Sequence, residues 1–477
     1  MHGPVTMNSG VDAQTPPTHI GYVWGLAISA ALGGLLFGYD WVVIGGARQF
    51  YKIYFHLNSA TQVGWANSCA LLGCLIGSLV AGSLAERYGR KPVLLLSALL
   101  FALSSILTGW AFTFTGFIVW RIIGGVAIGL TSNVSPLYIA EISPAALRGR
   151  LVSLNQFAIV VGILLAQVVN WIIARPAASE IPSSALHQNW NLQYGWRWMF
   201  TAVVLPSLCF AVASIFLPES PRWLINRGRD AEAVLILQRI GGEAYASPES
   251  ARIQRSLDIP IESSSWRELL CPGVRRILFV AIALAVLQQW TGINILFNYA
   301  AEIYRSAGYG SNDIFLNIVI TGSINLIFTV LAMFLVDSLG RRKLMLLGCM
   351  GIALCHLLCA WAYLHGKLGT PVLILTLGAI GCYALTLAPV TWVLISEIFP
   401  NRVRSQGIAV AVSSLWIASF ALTYTFPFIN NRLGTGGAFI SYGAVCLAGA
   451  ILVFVGVSET RGYTLEQIEA AARLNSR

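Results

Sequence analysis

The sequence predicts an all-α membrane protein, with twelve transmembrane helices in two pseudo-symmetric six-helix halves joined by a cytoplasmic helical linker. Three observations carry that expectation. The 477-residue chain is 56% hydrophobic and 10% charged, with a mean hydropathy of +0.71, where soluble domains average about 25% charged residues. It contains twelve apolar stretches near the length of roughly 20 residues that a bilayer demands. It also repeats its own charged motifs at offsets of 240 to 256 residues.

Residues 1–20 are polar rather than basic and read as a mobile cytoplasmic tail. The apolar stretch after them is too long for a signal peptide and is not followed by a small-residue cleavage site. Stretches at about 22–46, 62–83, 92–112, 115–139, 152–174 and 197–217 make the first half, residues 21–217. Residues 218–275 are charged, carry helical patches such as 230–240, and form the linker. The second half, 276–457, has stretches at about 276–303, 314–336, 343–364, 371–396, 405–428 and 436–457. Residues 458–477 are expected to be a cytoplasmic tail.

Charge sets the orientation. With both termini cytoplasmic, twenty-two Lys and Arg fall in cytoplasmic segments and seven outside, with Arg121 inside a span. That asymmetry is the positive-inside pattern, and it accounts for the net charge of +10 without a nucleic-acid partner. A multi-pass plasma-membrane protein is expected, in the inner membrane if the host is a bacterium, with the lipid bilayer around it. Eight of the nine cysteines lie in spans and no CxxC occurs, so neither a disulfide framework nor a metal site is indicated. The absence of GxxxxGK[ST], HExxH and GxSxG argues against ATP-driven transport, enzyme chemistry and any cofactor. The glycine-rich run at 124–129 suits close helix packing.

The internal repeat carries charge. Glu141-Ile142-Ser143-Pro144 with Arg148 recurs as Glu397-Ile398-Phe399-Pro400 with Arg404, and Gly89-Arg90-Lys91 recurs as Gly340-Arg341-Arg342. Two homologous halves rocking about a central site are the physical expectation. Glu86, Arg87, Arg90, Glu141, Arg148, Asp337, Arg341, Glu397 and Arg404 would form a cytoplasmic gate, its ion pairs latched across the halves and broken on opening. The plainer alternative is solvated surface pairs, worth about 0–1 kcal/mol each.

The most informative stretch is QQWTGINILFNYA, Gln288 to Ala300. Four amides, Gln288, Gln289, Asn294 and Asn298, sit within eleven residues of an apolar span, where an unpaired polar group costs about 1–3 kcal/mol. On an ideal helix Gln289 and Asn294 point about 140° apart; a bend at Gly292 would turn both toward one cavity. Interrupted helices at mid-membrane build substrate sites in many transporters. Amides as packing glue between helices are the alternative; four in one turn-broken stretch favour a polar ligand.

Eleven signatures now stand in order: GGLLFGYD, GSLAERYGRK, RIIGG, PLYIAEISPAALRGR, NQFAIVVG, GWRWMF, PESPRWL, QQWTGIN, DSLGRRK, APVTWVLISEIFP and SETRGYTLEQIE. Through them the chain resembles the sugar porters of the major facilitator superfamily from about Gly33 to Glu469. Among these it is most similar to bacterial proton-coupled pentose and hexose symporters of the xylose–proton type. The resemblance implies sugar contacts at Gln156, Gln288, Gln289, Asn294, Asn325 and Trp392, with aromatic walls at Phe37, Tyr299 and Trp416. The chemistry suits a sugar, since a carboxamide both donates and accepts and flat rings cover C–H faces. There are departures. Leu415 stands where such symporters carry glutamine, Asn298 where they carry the first of two tyrosines, Ala388 where they carry glycine, and Val203 where they carry glutamate. A xylose assignment is therefore not inherited.

Coupling would turn on Asp40 and Arg121, both inside spans, where ionisable residues are functional by default. Burial raises a carboxyl pKa and a nearby arginine lowers it, so Asp40 could hold a proton when Arg121 is distant and release it on approach. A permanent structural ion pair is the alternative. One proton driven by 100 mV supplies about 2.3 kcal/mol, enough for roughly fortyfold accumulation. The expected function is import of a monosaccharide with a proton, by a monomer. A facilitative uniporter comes second, and a non-transporting sugar sensor last, because the tail after the final span is short.

Overall fold

The computed structural model describes residues 19–174, 189–258 and 266–457. Nearly all of the 1–20 tail and the whole of the 458–477 tail lie outside the described residues. The first half comprises α1 (Ile20–Tyr54), α2 (Ala60–Tyr88), α3 (Arg90–Gly109), α4 (Phe114–Ile142) and α5 (Arg148–Ile173). A π-turn at Asn191–Gly195, α6 (Trp196–Thr201) and α7 (Val204–Phe216) then complete its sixth crossing. The linker holds α8 (Pro221–Asn226), α9 (Asp230–Gly241), α10 (Glu243–Asp258) and a 3₁₀ turn at Trp266–Leu270. The second half comprises α11 (Pro272–Trp290), α12 (Ile293–Asn298), α13 (Ala300–Ser306), α14 (Ser311–Leu339), α15 (Arg341–Leu364), α16 (Thr370–Leu385), α17 (Leu387–Ile398) and α18 (Arg404–Gly456).

Eleven described helical segments are long and apolar enough to cross a bilayer; the twelfth crossing is inside α18. Its 53 residues would run about 80 Å at 1.5 Å each, against a hydrocarbon core of about 30 Å. Gly434, at φ 69° and ψ 173°, breaks it. The chain doubles back there: Tyr424 lies against Gly64 at the start of α2, Gly436 against Tyr363 at the end of α15, and Gly456 near Val280 of α11.

Local chemistry fixes the helix ends. Ser59 starts α2 with a reciprocal capping box to Gln62, which satisfies donors a helix start leaves free. The motif repeat is also a backbone repeat: Gly89 between α2 and α3 has φ 101°, ψ 169°, and Gly340 between α14 and α15 has φ 87°, ψ 150°. Only glycine adopts this region without penalty. Glu219, just after α7, accepts from the backbone N–H of Arg90 at 2.9 Å and of Ser220 at 2.8 Å. A carboxylate there complements the positive end of α3. Gly125 and Gly129 press α4 onto the α2 backbone at Ala70 and Cys74, the close packing expected of that run. The linker is tied to the first half by Trp223 Nε1, which donates to the Glu86 carbonyl at 2.8 Å.

The two halves meet on the face opposite the repeated basic motifs. Phe50 of α1 stacks on Phe315 of α14 with centroids 6.4 Å apart, and Trp65 of α2 meets Phe420 of α18 at 5.9 Å. Arg48 pairs with Glu302, and Arg305 donates to Gln49. Gly45 of α1 seats against the Phe297 carbonyl of α12. That face is closed.

Candidate functional site

The seventh crossing is broken where the sequence places a bend. α11 stops at Trp290, Gly292 is left-handed at φ 82°, α12 restarts at Ile293, and Tyr299 (φ −118°, ψ 17°) separates it from α13. The break brings the amides together: Asn294 Nδ2 donates to Gln289 Oε1, and Gln289 Nε2 donates to Gln288 Oε1 at 3.4 Å. Gln288 Nε2 reaches the Ala388 carbonyl at 3.5 Å, just beyond a second break at Thr386 (φ −124°, ψ −81°) between α16 and α17. All three amides are buried, as are Asn298 and Asn325. Gln156 on α5 is half-buried, and Trp392 on α17 keeps 39% of its surface exposed.

A histidine outside the sequence expectation holds the hinge. The break leaves the Thr291 carbonyl short of a helical partner, and His356 Nε2 of α15 lies 2.8 Å from it. His356 is buried and packs on Phe439 and Tyr442; Tyr442 in turn lies 2.7 Å from where a Gly292 Cβ would stand. Nothing near His356 in the sequence flags this role, because its partner is 65 residues away.

The aromatic expectations divide. Phe37 and Trp416 meet across the halves at 6.1 Å, and Trp41, which sequence reasoning passed over, completes a triad at 5.9 Å from each. Tyr299 lines no open wall. It is fully buried, donates to the Thr423 carbonyl at 2.8 Å, and lies under the Arg48 guanidinium at 3.9 Å. It belongs to the closed face.

Asp40 on α1 and Arg121 on α4 form a buried pair, with Arg121 Nη1 donating to Oδ1 at 2.9 Å and Oδ2 at 3.0 Å. One nitrogen serves both oxygens, while Arg121 Nε is buried with no partner among the described residues. The two-nitrogen fork that gives the strongest arginine–carboxylate contact does not form through Nε, so the carboxylate is held without using all the guanidinium offers.

In this state, closed on the opposite face, the repeated acid and base motifs pair within each half, and a latch across the halves is expected only when their own face shuts. Arg90 bonds Glu141 through Nε at 2.8 Å and Nη2 at 2.7 Å, joining α3 to α4. Arg341 lies 3.6 Å from Glu397, joining α15 to α17. Both pairs stay within one half; neither spans the halves. Arg148 and Arg404 reach carbonyls instead, Arg148 those of Ala140 and Ser143 and Arg404 that of Phe399, at the ends of α4 and α17. Glu86 and Arg87 are exposed, and their carbonyls accept from Arg227 of the linker. The Asp337 side chain lies outside the described residues. Each half carries its own acid and base, so the partner nearest in the repeat wins.

A two-half helical bundle, closed on one face around a buried amide cluster on broken helices, is a membrane transporter of the major facilitator fold. The family model described as "Sugar (and other) transporter" matches residues 26–472, and the chain belongs to that family. It is 35% identical to the D-xylose-proton symporter of Escherichia coli (strain K12), covering 94% of this chain and 95% of that one. It is 36% identical to the glucose transport protein of Synechocystis, covering 97% and 100%. It is 35% identical to the arabinose-proton symporter of Bacillus subtilis, covering 94% and 95%. The inward open structure of the Escherichia coli xylose transporter superposes with a TM-score of 0.83 at 34% identity, covering 94% of this chain and 100% of that one. The sugar-bound structure of that transporter, which holds 6-bromo-6-deoxy-D-glucose, gives 0.78.

Proposed function

We propose that the protein imports a monosaccharide, pentose or hexose, together with a proton by alternating access. The carrying observation is the pairing of two sites: a convergent amide cluster at the Gly292 break and a buried Asp40–Arg121 pair joining α1 to α4. Relatives named as xylose–proton and arabinose–proton symporters support the same reading. Gln156, Gln288, Gln289, Asn294, Asn298 and Asn325 would hydrogen-bond sugar hydroxyls, with Phe37, Trp392 and Trp416 against the ring. Asp40 would carry the proton, taking it when Arg121 withdraws and losing it on return. If sugar and proton both favour one conformation, each tightens the other by linkage.

The basic motifs would face the cytoplasm, with both termini there, and the monomer would be the working unit. On that orientation the closed face is external and the state is inward-facing. Arg90–Glu141 and Arg341–Glu397 would then act as braces that keep each half rigid as it rocks.

The test is uptake of labelled xylose and glucose into proteoliposomes, with and without an inward proton gradient, for wild type and Asp40→Asn. Gradient-driven accumulation above equilibrium, lost in Asp40→Asn while counterflow persists, is the expected result. Equal, merely equilibrating uptake in both would make the protein a facilitative uniporter.

A further inference from the structure

Gln167 on α5 has no role in the transport site described above. It is 1% exposed, and both atoms of its carboxamide, Nε2 and Oε1, lack a hydrogen-bond partner among the described residues. Among the described residues no other amide has both of its polar atoms fully buried and unpaired. An amide offers two donors and an acceptor oxygen, and buried groups of this kind ordinarily find partners.

Its surroundings explain the deficit. Opposite it, on α14, is Gly322, where a Cβ would overlap the Gln167 oxygen. The amide is thus pressed onto helical backbone whose N–H and C=O are already engaged. α5 belongs to the first half and α14 to the second, so the contact lies in the interface that parts when the closed face opens.

Gln167 also shares a helix face with Gln156. Eleven residues at 100° each bring the two within about 20° of one direction, some 16 Å apart along α5. Asn170, one turn further out, donates to the Val43 carbonyl at 3.0 Å and leaves Oδ1 unpaired. Asn298 Oδ1 on α12 and Asn317 Nδ2 on α14 are also unpaired among the described residues. The closed face therefore seals over several amides with unused hydrogen-bonding capacity, drawn from both halves.

We propose that Gln167, with Asn170 beside it, is an external-side subsite for the hydroxyls of a monosaccharide or polyol, filled before the central amides. This rests on the transport reading above. When α5 and α14 separate, the carboxamide faces the entry path, and its donor and acceptor match neighbouring hydroxyls. Once the sugar has moved inward and the face has closed, the amide is left dry.

The test is Gln167→Leu, which keeps the bulk and removes both polar atoms, with Gln167→Met as a second variant should leucine fail to insert. KM for labelled xylose, glucose and a monodeoxy series is measured from each face of proteoliposomes. The expected result is an external KM raised about tenfold, the factor that one ordinary hydrogen bond gives, with cytoplasmic KM and maximal rate unchanged. One deoxy sugar should also lose its external penalty in the variant, the non-additivity of a direct contact. An unchanged external KM in both variants overturns the subsite and leaves Gln167 a packing residue. A rise in external KM matched by a fall in cytoplasmic KM also overturns it, because that marks a shifted conformational balance. Wild-type protein that moves none of these sugars would sink the transport reading, and the subsite with it.

Discussion

The two halves descend from one plan yet carry different equipment. In the first half α1 runs 35 residues and α4 29 without a break, Pro136 notwithstanding, and between them they hold the Asp40–Arg121 pair. In the second half the seventh crossing breaks at Gly292 and Tyr299 and the tenth at Thr386, and the amides gather beside those breaks. Charge sits on rigid helices, where a small change of distance alters an ion pair strongly. Gln288, Gln289, Asn294 and Asn298 sit on an interrupted crossing, where freed backbone and side chains can re-aim around a ligand. On the transport reading the first half would carry the proton site, and the second would supply most of the amides that hold the sugar, Gln156 of α5 being the first half's share.

The largest effect that would sharpen this contrast is Asp40→Asn. Accumulation at 100 mV should fall from roughly fortyfold to equilibrium, with sugar affinity within about threefold of wild type if charge and amides are separable; flux assays with and without an ionophore read this. Next comes Asn294→Ala, which removes the donor to Gln289 and one hydroxyl partner. Sugar affinity should weaken about 5- to 150-fold, as expected for about 1–3 kcal/mol, while the pH dependence of transport stays put. A moved pH profile would break the division of labour.

Gly292→Ala addresses the break itself. Alanine at φ 82° costs about 1–2 kcal/mol, and its Cβ would stand 2.7 Å from the Tyr442 ring. Melting temperature in detergent should drop by several degrees and turnover should slow, whereas alanine at Gly21, which has nothing within 4 Å, should change neither. The smallest effect is expected from Glu302→Gln. Its pair with Arg48 is partly exposed, 38% on the glutamate side, so about 0–1 kcal/mol is at stake. Reactivity of a cysteine introduced at Gln49 should rise no more than about fivefold as the closed face loosens.

Much of this was legible in the chain. The spans follow from runs of apolar residues, and the halves from Glu141–Arg148 recurring as Glu397–Arg404. The broken seventh span follows from a glycine amid four amides, since no intact helix could aim them together. What stayed hidden depends on distance through space. The partners of Arg90 and Arg341 could not be read because both halves offer the same acids, and the nearest lies within each half. Tyr299 reads as a cavity wall only if the face above it is open; closed, it is capped by Arg48. Trp41 was missed because one turn beyond Phe37 it looks like ordinary apolar sequence, and only the fold brings Trp416 against it. His356 is a lone histidine in an apolar run, a pattern that most often means simple burial.

Trp41 and Trp416 stand 5.9 Å apart, one in each half, and the Trp416 indole N–H has no partner among the described residues. Two indoles at that range exchange excitation, and their emission depends on spacing and on what wets them. Rocking of the two halves, as proposed, would therefore change the bundle's ultraviolet emission. No dye or spin label has to be attached, because on the transport reading this indole pair would wall the pathway and serve as an optical gauge of its motion.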